Sequence, residues 1–300
     1  MQIHSTCSFK TPEDSKYFEN WVVRLEKVNN KKYGRIDLET SLGKTVVWSL
    51  SGDKKDLKPL VIFPGFRTCS LFWDFDNALE PLQKNYRIFL VDTNGQPSLS
   101  DGNTPDIKSN DYGLWASEVI TKLGLTKAVV AGASFGGLVC MKLCIVAPEK
   151  VEKAIMLNPG CLQPFSLSLK NLYYNMLPIL FPSRKNVKTF LDAAVFCKPN
   201  HQLSTDSEEL ILDYEMMALT RFIDKAQKPY QMPLSELSKV SSDVYLLEGE
   251  NDLLFPYQKS IDHATKCIKN LKEVFVLKQT GHGIETSKEA ISIIGRIMNT

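Results

Sequence analysis

The residues able to do covalent chemistry lie in three short stretches far apart in the chain. In "KAVVAGASFGGLVCMKL", residues 127–143, Ser134 stands between Gly132 and Gly136, where an apolar strand-like run ends and a helix-like pattern begins. A strand that turns at once into a helix strains the residue at the corner and leaves its side chain exposed. Glycines two residues before and after remove side chains that would collide with the neighbouring strand and helix. The helix start beyond Ser134 supplies N–H donors and a positive dipole end where an oxyanion would form.

A serine hydroxyl is a weak nucleophile at neutral pH and needs a base. The chain has four histidines. His4 belongs to the N-terminal stretch, His201 follows "CKPN" in a helical region, and His263 in "SIDHATKC" reads as a half-exposed helical position. His282, in "KQTGHGIE", follows the strand-like "LKEVFVL" and has a glycine on each side, so the loop can turn its imidazole back toward the sheet edge. It is the favoured base. Such a base needs a carboxylate to hold its tautomer and stabilise the imidazolium. "YLLEGENDLLFP" offers Glu248 at a strand end, Glu250 inside the turn and Asp252 beyond it; Asp252 is favoured because Leu253 and Leu254 can shield it from water. Asp92, at the end of "RIFLVD", precedes Ser134 and reads as an organiser of the "DTNGQPSLSDG" loop.

The elements that must position these groups follow a regular order. "GRIDLET" and "KTVVWSL", joined at Ser41-Leu42-Gly43, read as a hairpin. Then "PLVIFPG", "RIFLVD", "KAVVAG" and "VEKAIMLNP" are apolar strands separated by the helical stretches "SLFWDFDNALEPLQ", "YGLWASEVITKLG" and "GLVCMKLCIVA". Apolar strands without alternation, separated by helices, are what a parallel sheet covered on both faces requires. After Pro159 the rhythm stops: "LSLKNLYYNMLPILFP", "RKNVKTFLDAAVF" and "SEELILDYEMMALTRFI" are helical, and strands resume at "SDVYLLEGENDLLFP". The expected organisation is an N-terminal helical extension over 1–32, one α/β core over 33–160 and 238–300, and a helical cap over 161–237. In the extension, Thr11, Pro12 and Asp14 form a capping signal, and Phe18, Trp21, Val22 and Leu25 make an apolar face that should dock on the main body.

Composition excludes other classes. A net charge of +2 with no basic block leaves no footprint for nucleic acid. No apolar run approaches the ~20 residues that span a bilayer. The opening residues lack signal-peptide order, and seven dispersed cysteines argue for reduced thiols, so a cytoplasmic setting is expected. Cys140 and Cys144, four apart on a helix, read as buried apolar residues rather than metal ligands.

The order Ser134, Asp252, His282, each after a different strand, resembles the α/β-hydrolase superfamily. "PLVIFPGFRTCSLFW" is similar to its oxyanion segment, "VDTNGQPSLSDG" to a loop, and "GENDLLFP" and "GHGIE" to its acid and histidine turns. The likeness covers residues 35–160 and 238–300 and is nearest to carboxylesterase-like serine hydrolases. It implies the α/β-hydrolase fold: a mostly parallel central sheet, helices on both faces and a helical cap insertion. It also implies a Ser134–His282–Asp252 triad, an oxyanion hole from the backbone N–H groups of Phe66 and Phe135, and ester hydrolysis through an acyl-enzyme, with no metal or organic cofactor. Pro64-Gly65 stands where the family often has His-Gly, which leaves a backbone donor intact. Thioester, lactone or carbon–carbon bond hydrolysis on the same triad, and ligand binding without turnover, are the rival readings. Phe66, Phe135, Leu169, Leu172, Tyr173, Met176, Met216 and Met217 are expected to form an apolar pocket for a lipophilic ester, with Arg67 beside it.

Overall fold

The computed structural model describes residues 8–50, 56–225, 227 and 230–300; His4 lies outside them. Eight strands form one sheet: β1 (Gly34–Thr40), β2 (Gly43–Ser49), β3 (Lys58–Phe63), β4 (Tyr86–Val91), β5 (Ala128–Ala133), β6 (Val151–Leu157), β7 (Asp243–Gly249) and β8 (Leu271–Leu277). Their order is β1-β2-β4-β3-β5-β6-β7-β8. The β1–β2 hairpin and the β2–β4 pair are antiparallel, and every pair from β4 to β8 is parallel. All six residues of β5 are buried, as a central strand with helices on both faces demands. On β3, Leu60 and Ile62 join one core while Val61 and Phe63 join the other, so both faces of the pleat are apolar.

The helices are α1 (Pro12–Val28), α2 (Glu80–Gln83), α3 (Asp111–Lys122), α4 (Phe135–Val146), α5 (Leu169–Leu180), α6 (Arg184–Phe190), α7 (Thr205–Thr220), α8 (Leu234–Leu237), α9 (Tyr257–Cys267) and α10 (Lys288–Asn299). None among the described residues is long and apolar enough to cross a membrane. Cys140 and Cys144 of α4 are fully buried, and burial pushes both thiols up, that of Cys144 to about 12.

The apolar face of α1 is buried, and its main partner is α7 of the insertion. Trp21 lies 5.1 Å from the Tyr214 ring, and its indole N–H donates to the Leu210 carbonyl at 2.8 Å. Arg221 holds Asp14 at 2.7 Å, beside the Thr11–Asp14 capping box. The insertion is therefore not uniform: α7 is part of the main core, whereas α5 keeps a largely exposed surface.

One expected helix is broken. "SLFWDFDNALEPLQ" forms a tight turn of helix over Ser70–Asn77 with a kink at Asp74–Asp76, followed by the short α2. Asp76 and Asn77 take positive φ values of 55° and 56°. The break puts both aspartates to tertiary use. Buried Asp74 accepts from the Tyr33 hydroxyl (2.9 Å), Lys31 (2.8 Å) and the Leu79 N–H (3.1 Å). Asp76 accepts from the Ser204 N–H (2.8 Å) and the Ser207 hydroxyl (2.7 Å) at the start of α7.

Candidate active site

Ser134 sits between β5 and α4 with φ 49° and ψ −109°, a conformation a non-glycine residue seldom adopts. Its backbone locks the corner: the N–H donates to the Leu157 carbonyl (2.9 Å), and the carbonyl accepts from Gly137 (3.1 Å) and Gly160 (3.0 Å). A Cβ on Gly132 would lie 2.3 Å from the Gly136 carbonyl, and one on Gly136 would lie 2.2 Å from the Phe63 carbonyl. Both clashes are with backbone, so the glycines let β5, α4 and β3 meet closely enough to form the corner.

Asp252, in the turn after β7, has a fully buried side chain. Its Oδ1 accepts the N–H groups of Leu254 (2.7 Å) and Phe255 (3.1 Å), which leaves Oδ2 to accept from His282 Nδ1 at 2.7 Å. The neighbouring carboxylates do other things. Exposed Glu250 accepts the Gln279 N–H at 3.1 Å. Glu248 is fully buried, and neither oxygen has a hydrogen-bond partner among the described residues. Burial first, then the charge of Asp252, push its pKa well up, with nearby Ser260 pulling the other way. Burial thus favours the neutral form of Glu248, and Asp252 is the carboxyl group that meets the imidazole.

At His282, burial disfavours the imidazolium, but the charge and hydrogen bond of Asp252 and the charge of Glu285 outweigh it, so the net shift is upward. The other described histidines lie elsewhere. His263 bonds the Met232 carbonyl at 2.9 Å. His201 bonds the Thr286 hydroxyl at 2.9 Å, and burial lowers its pKa. The Asp92 carboxylate bonds outside its own loop: it accepts from the Ser70 N–H (2.8 Å) and hydroxyl (2.7 Å) and from the Trp48 indole (2.8 Å), while its backbone carbonyl accepts the Ser100 hydroxyl of the loop at 2.7 Å.

Several residues that position the site escaped the sequence reading. Buried Asn158, after β6, donates to the carbonyls of Gly281 (3.0 Å) and His282 (3.1 Å) and accepts the Gly249 N–H (2.7 Å). It ties the histidine loop to the end of β7, at φ 40°, a conformation asparagine tolerates better than most residues. The only signal was an Asn-Pro-Gly directly after a strand. The Val195 carbonyl, from a single turn of wide helix after α6, accepts the Gly283 N–H at 2.9 Å. A Cβ on Gly281 would lie 2.7 Å from that same carbonyl. The glycines beside His282 thus serve close approach to the insertion.

The segment Gly65–Phe66 runs beside Ser134: a Cβ on Gly65 would be 3.6 Å from that of Ser134. Among the described residues, neither the Phe66 nor the Phe135 N–H donates a hydrogen bond. Gln96 holds this segment by accepting the Arg67 N–H at 2.7 Å. Ser134 and His282 both line a cavity of about 350 Å³, walled by Phe66, Phe135, Leu172, Met176, Phe190 and Leu254 among others. Four expected pocket residues are not in its wall. Leu169 and Tyr173 point to solvent, Met217 is buried in the core, and Met216 packs against that core. Arg67 reaches the cavity but is paired with Asp224 at 2.5 Å. No cluster of three or more His, Cys, Asp or Glu side chains suited to a metal occurs among the described residues.

Parallel strands in this order, with Ser134, Asp252 and His282 after β5, β7 and β8, define an α/β-hydrolase-fold protein. Residues 58–181 match the family model described as alpha/beta hydrolase fold, and the chain is similar to carboxylesterases. It is 22% identical to carboxylesterase YbfK of Bacillus subtilis (strain 168) over 255 residues, 82% of this chain and 80% of that protein. It is 25% identical to the uncharacterized carboxylesterase nap of the same strain, over 82% of this chain and 79% of the relative. The solved structure of naproxen esterase (carboxylesterase NP) from Bacillus subtilis superposes with a TM-score of 0.80 at 21% identity, covering 97% of this chain and 99% of that one.

Proposed function

We propose that the chain hydrolyses carboxylic esters of lipophilic small molecules through an acyl-enzyme formed on Ser134. His282 takes the serine proton as Oγ attacks the carbonyl and returns it to the leaving alcohol. Asp252 holds Nδ1–H, which leaves Nε2 as the base. The N–H groups of Phe66 and Phe135 receive the tetrahedral oxyanion, and water repeats the cycle to release the acid. The observation that carries this reading is that His282, paired with buried Asp252 at 2.7 Å, opens with Ser134 onto one apolar cavity. The carboxylesterases to which the chain is similar support the choice of ester over other acyl bonds.

A panel of p-nitrophenyl esters tests the substrate class. Each methylene buried in the cavity is worth about 0.8 kcal/mol, so kcat/KM should rise up to about fourfold per methylene from acetate until the cavity is full. A preference for acetate over every longer chain would contradict the apolar acyl site. The same assay gives the pH dependence. The imidazolium cannot accept a proton, so activity appears as pH rises through the His282 pKa. Because that value is raised, the acid limb of kcat/KM should fall above the ordinary imidazole range, and a limb at or below it would contradict the assignment.

A further inference from the structure

Seven of the thirteen exposed large apolar side chains among the described residues fall between Leu167 and Phe181. Leu169, Tyr173, Met176 and Leu180 recur at intervals of four, three and four along α5, which places them on one face. Their exposures run from 41% to 87%, and Leu167 (75%) and Phe181 (65%) extend the stripe beyond the helix ends. A concentration of this kind on one element marks a contact surface rather than scatter. The inner side of the same helix, with Leu172 and Asn175, walls the cavity, and Met176 lies at the boundary, exposed in the stripe and also reaching the cavity.

Charge narrows the partner. Residues 158–191 contain Lys170, Arg184, Lys185 and Lys188 and no aspartate or glutamate. Arg184 is taken up by Glu209 and Asp213, and Lys188 by Asp192. Lys170 and Lys185 are exposed and join no ion pair among the described residues, and they stand at opposite ends of the stripe. A second copy related by a twofold axis, its α5 antiparallel, would bring Lys170 of one chain toward Lys185 of the other, like charge against like. An apolar stripe bracketed by free cations matches the interfacial layer of a membrane bearing anionic headgroups.

We propose that α5 docks on an anionic lipid surface, its axis in the plane of the interface, the apolar stripe inserted and Lys170 and Lys185 among the headgroups. The test is co-sedimentation of the purified chain with vesicles of ether-linked phosphatidylcholine, with and without ether-linked phosphatidylserine. These lipids carry no carboxylic ester, so binding is read apart from turnover and stands or falls separately from the proposed chemistry. The chain should pellet best with phosphatidylserine vesicles. Lys170→Gln with Lys185→Gln should weaken that binding by about 25-fold, about fivefold per cation, and leave binding to phosphatidylcholine alone unchanged. Leu169→Ser with Leu180→Ser and Phe181→Ser should weaken both by at least about tenfold. Turnover of soluble p-nitrophenyl acetate should be unchanged in both variants, since none of these side chains walls the cavity. No sedimentation of the wild type, or indifference of binding to both variants, would overturn the proposal. A wild-type dimer that the serine variant converts to monomer would assign the face to a second copy instead.

Discussion

Ser134→Ala is expected to lower ester turnover by about a millionfold, to the residual rate that binding and oxyanion stabilisation alone provide. The same substitution should remove covalent labelling by a fluorophosphonate probe, which requires an activated oxygen nucleophile. The size of the effect follows from the mechanism: without Oγ no acyl-enzyme forms, and His282 has no serine proton to take. Folding should be untouched. The corner is held by the Ser134 N–H and carbonyl, bonded to Leu157, Gly137 and Gly160, and alanine keeps all of these. Thermal unfolding of the variant should therefore coincide with that of the wild type, which separates lost chemistry from lost structure. The assays are rate against p-nitrophenyl butyrate and mass mapping of the labelled peptide. Label on a different serine, or turnover surviving in the variant, would remove Ser134 from the nucleophile's role.

That Ser134, Asp252 and His282 stand out in the sequence has a local cause: each sits where a strand-forming run stops, and glycines mark the backbone crowding there. The parallel sheet is legible for a related reason, since β3 and β5 must be apolar on both faces and so lose the two-residue alternation. What was hidden depends on partners distant in the chain. The stretch from Ser70 to Gln83 has helical periodicity, and nothing local reports that Lys31 and Tyr33 will draw Asp74 out of it. Asn158 looks like a loop asparagine until the carbonyls of Gly281 and His282 lie against it. Within the insertion, periodicity shows that α5 and α7 each have an apolar face. It does not show that Trp21 will cover α7 and leave the outer face of α5 open. Met216 and Met217 fell on the wrong side of that distinction.

The second large effect is expected from Asp252→Asn, about 10⁴-fold in kcat, and its cause is a tautomer rather than a lost shape. In the wild type one carboxylate oxygen is committed to the N–H groups of Leu254 and Phe255, and the other accepts His282 Nδ1–H. The asparagine carbonyl takes over the first pair of bonds, since an amide oxygen accepts as a carboxylate does. Its NH₂ group is then left facing His282 Nδ1, which must become the acceptor. The ring proton moves to Nε2, the atom that has to take the proton from Ser134, and the base is blocked. The imidazolium also loses the anion that favours it, so the His282 pKa falls and the acid limb of the pH profile moves down. Glu248 does not take over the bond: its carboxyl oxygens reach no hydrogen-bond partner among the described residues, and burial disfavours its charged form. Two readouts follow from one substitution: a collapse in kcat with little change in KM, and a downward shift of the acid limb in the activity that remains. A modest loss with the limb unmoved would mean that Asp252 serves only as a structural acceptor for its turn.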